Sequence, residues 1–218
     1  MILIHPSVEI LYVCANPLQL IEAAGRTCYK SEEKITVNSA PPFVHGILKR
    51  GHESVIEHSM VTIRFVCDRG VSHEIVRHRL ASYSQESTRY CDYNRGHVTF
   101  IIPPWVKIEP GEYTLHPDHY KKATTEDLWL AAMRRSELAY QQLRLAGWRP
   151  EQARSVLPNS LKTELVVTMN FRELRHFFKL RTAAAAHPQM RELTIPLLEM
   201  MKARVEVIFD DIEVVCPQ

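Results

Sequence analysis

Apolar and polar side chains alternate across residues 60–66, with Val61, Ile63 and Phe65 on one face and Thr62 and Arg64 on the other. A period of two predicts a half-buried strand. Further strands are predicted over 7–13, over 98–102, where Pro103 and Pro104 stop it, and over 161–169, where Val166, Val167 and Thr168 are β-branched. Elsewhere the apolar positions recur at helical spacing. Pro17 suits the first turn of a helix carrying Leu18, Ile21 and Ala24 to about Tyr29. Other helices are expected over 41–50, ending at Gly51, over 71–80, over 124–146, ending at Gly147, from Pro150 to about Val156, over 171–180, and from Pro188 to about Phe209. The polar stretch GHESVIEHS (51–59) and residues 105–123 read as loops. Strands and helices mix without regular βαβ alternation, which favours α+β over a doubly wound sheet.

Composition narrows the picture. The chain has 218 residues, enough for one domain with a substantial core, and its net charge of +2 gives no global signal for nucleic acid. Any basic site must therefore be local. The five cysteines, Cys14, Cys28, Cys67, Cys91 and Cys216, include no C-x-x-C pair. That argues against a disulfide framework or zinc ribbon and predicts a reducing, cytoplasmic setting. The start MILIHPSVEILYV lacks a signal-peptide pattern, and no uncharged apolar run approaches the roughly 18 residues of a membrane span. No G-x-G-x-x-G or Walker A segment is present.

The chemistry concentrates in RHRLASYSQESTRY, residues 77–90. Three arginines and a histidine are followed by Ser82, Ser84, Ser87 and Thr88, which compete with a helix for backbone hydrogen bonds. Cations at a helix end with a donor-rich loop suit a phosphorylated ligand, because guanidinium forks bind phosphate oxygens bidentately; the bland alternative is a solvated basic face. Later, Arg172, Arg175 and Lys179 share one helix face, whereas Arg181 lies nine residues after Arg172, about 180° away. Phe177, Phe178 and Leu180 read as core. His73 and His78 in HEIVRH are five apart, roughly 140° on a helix, which disfavours a zinc pair. Two rivals to a phosphate-ligand enzyme stay open on residues alone. One is a nucleic-acid module in which Tyr83 and Tyr90 stack bases. The other is a metal-dependent hydrolase using His52, His58 and His73.

Arg77-His78-Arg79, seven intervening residues and Ser87 resemble the RHR-x7-S signature of the flavin-dependent thymidylate synthases. GHESVIEH (51–58) resembles the histidine loop of that family, and Arg154, Leu157-Pro158 and NFRELRHFFKLR (170–181) resemble its C-terminal ligand-binding stretch. The resemblance covers about residues 15–205. It implies a single α+β domain over 1–218, with a central mostly antiparallel sheet flanked by helices. That domain would assemble into a homotetramer with FAD at subunit interfaces. Matching flavin contacts are Ser54, Glu57, Arg77, His78, Arg79, Asn170 and Arg172, with His176 and Leu180 near the flavin edge and His52 close to flavin and folate. Deoxyuridylate (dUMP) would be held by Gln85, Glu86, Ser87, Thr88, Arg89 and Arg154, with Glu74 as a further contact. Arg181 matches the arginine that meets the pyrimidine and favours its anionic form, so Arg181 and His52 are the candidate catalytic residues. NADPH and methylenetetrahydrofolate are the implied cosubstrates, and no metal, nucleic acid, membrane or cysteine nucleophile is implied. Gln85, His176 and Cys28 depart from residues common in the family, glutamate, asparagine and serine respectively, while keeping polarity or size.

Overall fold

A computed structural model describes residues 1–114 and 124–214. Cys216 and part of the loop expected over 105–123 lie outside the described residues. Two compact units emerge, each built from three stretches of chain: Met1–Ser7, Phe65–Arg77 and Ser84–Leu165 in the first, and Val8–Arg64, His78–Tyr83 and Val166 onward in the second. The strands are β1 (Ile2–Ile4), β2 (Ser7–Val13), β3 (Met60–Asp68), β4 (Ala81–Gln85), β5 (Thr99–Ile101), β6 (Gly111–Glu112) and β7 (Lys162–Asn170). The helices are α1 (Pro17–Tyr29), α2 (Ala40–Lys49), α3 (Arg69–Ile75), α4 (Thr125–Leu145), α5 (Pro150–Ala153), α6 (Phe171–Arg181) and α7 (Pro188–Arg204). The α+β class holds, but with two sheets in place of one central sheet. One runs β5-β1-β6, with β1 parallel to β5 and antiparallel to β6; the other runs β2-β3-β7-β4.

Side-chain caps explain several helix starts. Asp68 accepts from the Val71 amide at 2.7 Å and Asn170 from the Glu173 amide at 2.9 Å. Thr124 and Asp127 exchange side-chain bonds in a reciprocal capping box at the start of α4. In the first unit, α4 lays Leu130, Met133 and Tyr140 into a core with Met1, Leu3, Val98 and Phe100. In the second, Phe171, Phe177, Phe178 and Phe209 form a chain of ring contacts 5.6–5.9 Å apart.

Several expectations are corrected. The helix expected over 71–80 stops at Ile75, so Arg77-His78-Arg79 lies beyond its end, and the donor-rich loop begins as a strand, β4. Along β4, Ser82 and Ser84 are exposed while Ala81, Tyr83 and Gln85 are half-buried; this period of two belongs to an edge strand whose polar face is made of hydroxyls. The polar stretch after Gly51 forms a 3-10 helix over Glu53–His58. The last helix ends at Arg204, short of the expected Phe209, and Val207 follows at φ 71°, a strained value for a β-branched residue. Leu180 is 49% exposed and not core. Arg175 does not share a solvated face with Arg172 and Lys179. It is buried, with its guanidinium forked onto Asp211 at 2.6 and 2.7 Å and donating to the Ile208 carbonyl.

Asp92 gives the first unit a measurable acid sensitivity. Its carboxylate takes two bonds from Arg144, at 3.0 and 2.7 Å, and others from Tyr140 and the Asn94 amide. The Arg144 bonds hold the Asp92 carboxyl down at about 2, from an ordinary 3.8, against the opposing effect of burial. A depressed acid stabilises the fold above its unfolded value and loses that contribution as pH falls through the folded one. The stability advantage of wild type over Asp92→Asn, read from denaturation midpoints, is therefore expected to be constant above about pH 5 and to vanish towards pH 2. An advantage that persists unchanged at pH 2 refutes this assignment.

Candidate active site

The sequence-predicted residues fall into two groups, one in each unit. In the second unit, α2 ends with Gly51 at φ 73°, a conformation glycine adopts at no cost, and the Gly51 and His52 amides close the turn onto Leu48 and Ile47. This turn delivers His52, exposed, to the start of the 3-10 helix that carries Ser54 and Glu57. Helix α6 contributes Arg172, Glu173, His176 and Lys179 to a cavity of about 500 Å³, which Glu53, Glu57, Leu80 and Asn170 complete. At its rim Arg172 donates to Glu57 at 2.5 Å. Both side chains are about half exposed, so this pair contributes little and exchanges readily for an anionic ligand. The cations Arg172 and Lys179, the Asn170 amide, the His176 imidazole and the apolar Leu80 line it beside three carboxylates, Glu53, Glu57 and Glu173. Arg172 and Lys179 face Glu57 and Glu53, so an anionic group such as a flavin nucleotide fits here by taking over these two cations from their carboxylates. Arg79 is exposed.

His78 sits deeper, 4% exposed, between Glu173 and Arg181. Its Nδ1 lies 3.2 Å from Glu173 Oε1, and Arg181 Nε donates to its Nε2 at 3.1 Å. Burial, then the charges of Arg181 and His176, push its pKa down to about 4, so the ring is neutral near pH 7 and the contact with Glu173 is a hydrogen bond, not an ion pair. Glu173 is also buried, and desolvation raises its carboxyl above the usual range.

The first unit holds the residues expected to meet dUMP, except Arg181, which belongs to the second. Gln85 Nε2 is engaged with Ser72 and Thr163, and Glu86 accepts from Tyr93 and Lys162, each at 3.0 Å, so both are tied to the unit's own framework. Ser87 Oγ accepts from the Arg89 amide, and the Arg89 guanidinium stacks 5.6 Å from the Tyr90 ring. Thr88 accepts from Arg154 at 2.8 Å, and the two share a cavity of about 240 Å³ with Arg69, His73 and Asn159. Glu74 is half-buried and Arg77 is exposed. Sequence reasoning missed Arg69, Lys162 and Glu173. The first two are single cations outside the motifs, and Glu173 reads as the acidic residue of a helix start.

Cys67 is fully buried, and burial pushes its thiol to about 12, so it does not supply a thiolate. Among the described residues no group of three or more His, Cys, Asp or Glu side chains is placed to hold a metal, and no helix is long and apolar enough to cross a membrane.

Residues 9–206 match the family model described as thymidylate synthase complementing protein. A flavin-dependent thymidylate synthase of Geobacter sulfurreducens is 34% identical over 94% of this chain and 85% of its own length. One from Pyrococcus furiosus is 36% identical over 86% and 73%. Among solved structures, a UMP/dUMP methylase, PolB from Streptomyces cacaoi, bound with 5-Br dUMP, superimposes with a TM-score of 0.74 at 26% identity, covering 96% of each chain. Thymidylate Synthase X from Helicobacter pylori, with FAD and dUMP, gives 0.71 at 23% identity over 94% and 98%, a likeness of fold. Motif order and these matches agree: the chain belongs to the family of flavin-dependent thymidylate synthases.

Proposed function

We propose that this protein converts dUMP to dTMP by reductive methylation, with methylenetetrahydrofolate as carbon donor and NADPH as the source of reducing equivalents. The observation that carries the reading is helix α6, which sets Glu173, His176 and Arg181 against His78 and turns Arg172 into the cavity, in a chain matching the family over residues 9–206. FAD, when bound, supplies the hydride that completes the methyl group. Asn170, Arg172 and His176 hold the flavin nucleotide, with Ser54, Glu57 and His78 lining its site and the exposed Arg77 and Arg79 meeting pyrophosphate charge. Ser87, Thr88, Arg89 and Arg154 take the phosphate of dUMP through charge-assisted bonds worth about 1.5–3 kcal/mol each. Gln85 and Glu86 shape that loop from behind, and Glu74 contributes a further contact. Arg181 stabilises negative charge developing on the pyrimidine, and His52 stands by flavin and folate. No side chain need attack the ring, which accords with the un-ionised Cys67 thiol.

The working form in this reading is a homotetramer with FAD sites at subunit interfaces and one continuous domain per subunit. The exposed Leu80, Tyr90 and Leu180, near the motifs, support it as apolar surface available to a neighbour. Free cysteines at positions 14, 28, 67 and 91 accord with a cytoplasmic setting.

The test is release of tritium from ring carbon 5 of labelled dUMP, omitting FAD, NADPH and methylenetetrahydrofolate in turn. Release that depends on FAD and NADPH is expected; none from folded, FAD-supplemented protein defeats the proposal. The likeness to a UMP/dUMP methylase raises a second reading, in which the ribonucleotide is also accepted. Labelled UMP in the same assay separates the two.

A further inference from the structure

We infer that Glu173 is a positioning residue for Arg181, acting through His78. The inference rests on the reading of Arg181 as the arginine that meets the pyrimidine. Glu173, Phe177 and Arg181 occur at intervals of four on α6, so they stack along one face of the helix. Glu173 and Arg181 are eight residues apart, about 12 Å along the axis, too far to touch. His78 bridges them. Its ring packs edge-on against Phe177 at 4.9 Å, with one nitrogen 3.2 Å from Glu173 Oε1 and the other accepting from Arg181 Nε at 3.1 Å.

The hydrogen-bond chemistry leaves one arrangement. A guanidinium has donors only, so His78 Nε2 must present its lone pair to Arg181. A neutral imidazole with Nε2 unprotonated carries its proton on Nδ1, and that N–H has Glu173 Oε1 as its acceptor. Without an acceptor at position 173 the buried Nδ1–H is unsatisfied, and only the bond accepted from Arg181 still favours that tautomer. A proton that moves to Nε2 faces the Arg181 N–H donor to donor, and the guanidinium is pushed off. The elements of the relay are themselves fixed. Tyr83 donates to the His78 carbonyl at 2.5 Å, and the Glu173 amide is held by the Asn170 cap. Glu173 and His78 are 6% and 4% exposed, so little water reaches either in the wild type.

The experiment compares Glu173→Met, which keeps length and removes the acceptor, with Glu173→Gln, which keeps an acceptor oxygen. Both are assayed as FAD-loaded holoenzyme for kcat, KM for dUMP and flavin content. The Met variant is expected to lose kcat per bound flavin by up to about a hundredfold, the scale on which a misplacement of about 1 Å acts. The Gln variant is expected to recover most of the wild-type rate. In an Arg181→Ala background Glu173→Met should cost nothing more, because the relay then positions nothing. Nitrogen NMR of histidine-labelled wild type, with His78 assigned by its loss in His78→Asn, should show the Nδ1-protonated tautomer. A Met variant with wild-type kcat, a Gln variant as poor as Met, full additivity with Arg181→Ala, or an Nε2-protonated His78 each overturns the relay. Wild-type turnover in Arg181→Ala alone removes the role of Arg181 instead, and the NMR result still judges the tautomer independently.

Discussion

Arg181→Ala is expected to lower the turnover of dUMP by about a hundredfold or more, the scale of losing one preorganised donor to a developing anion, while FAD stays bound. The side chain sits in the last turn of α6, half-buried, with Nε committed to His78. A helix C-terminus favours a cation, so the charge is held there at low cost. The loss should appear equally in kcat and kcat/KM if the contact forms only as charge builds on the pyrimidine, and in KM alone if it serves binding. Single-turnover kinetics with preloaded FAD makes the distinction, and wild-type turnover in the variant removes Arg181 from the chemistry.

Glu137→Leu is expected to be the most damaging change to stability in the first unit. Glu137 is fully buried, yet its carboxylate holds the Met1 ammonium at 2.9 Å, the Val98 amide at 3.0 Å and the Arg134 guanidinium. These bonds outweigh the burial that opposes ionisation, and its carboxyl lies below the usual range. Leucine fills the volume but leaves the Val98 amide without its acceptor and the buried Met1 ammonium without its carboxylate, the Tyr113 carbonyl at 3.0 Å still accepting from it. Breaking one partner of a buried pair costs about 3–5 kcal/mol, which lowers the thermal midpoint by roughly 10 °C for a chain of this length. Glu137→Gln, which retains an acceptor for Val98, should fall between the two. A Leu variant within a degree or two of wild type contradicts this account.

Much of the fold was legible because periodicity reports burial. The alternation around Ile63 and Phe65, the helical spacing after Pro17 and the stop at Gly147 each reappear as β3, α1 and the end of α4. What was hidden depended on partners distant in sequence. Arg175 reads as one of three cations on a wet face. Its burial follows from Asp211 and the Ile208 carbonyl, more than thirty residues on. Strand β4 was obscured because its outward side chains are serines, which also mark loops. The candidate site was legible as residue types but not as a division of labour. Gln85 and Glu86 stand among the phosphate-loop residues in the sequence, yet their side chains brace the first unit from within. Glu173 was concealed by its second role at the start of α6, where an acid three residues after Asn170 already has an explanation.

The division of each unit among three stretches of chain also bears on how the protein is made. Strand β1 is synthesised well before its parallel partner β5, which begins at Thr99, and the first unit lacks a piece until Leu165 has been added. The second unit is incomplete until α6 and α7 follow. The first can close only after Leu165 has emerged and the second only after α7, so the nascent chain carries unpaired strand edges through most of its synthesis. No terminal truncation isolates a complete unit, and the pairing of distant segments sets a slow folding rate. Yield in a heterologous host should therefore respond to growth temperature and chaperone supply more than to changes at the surface.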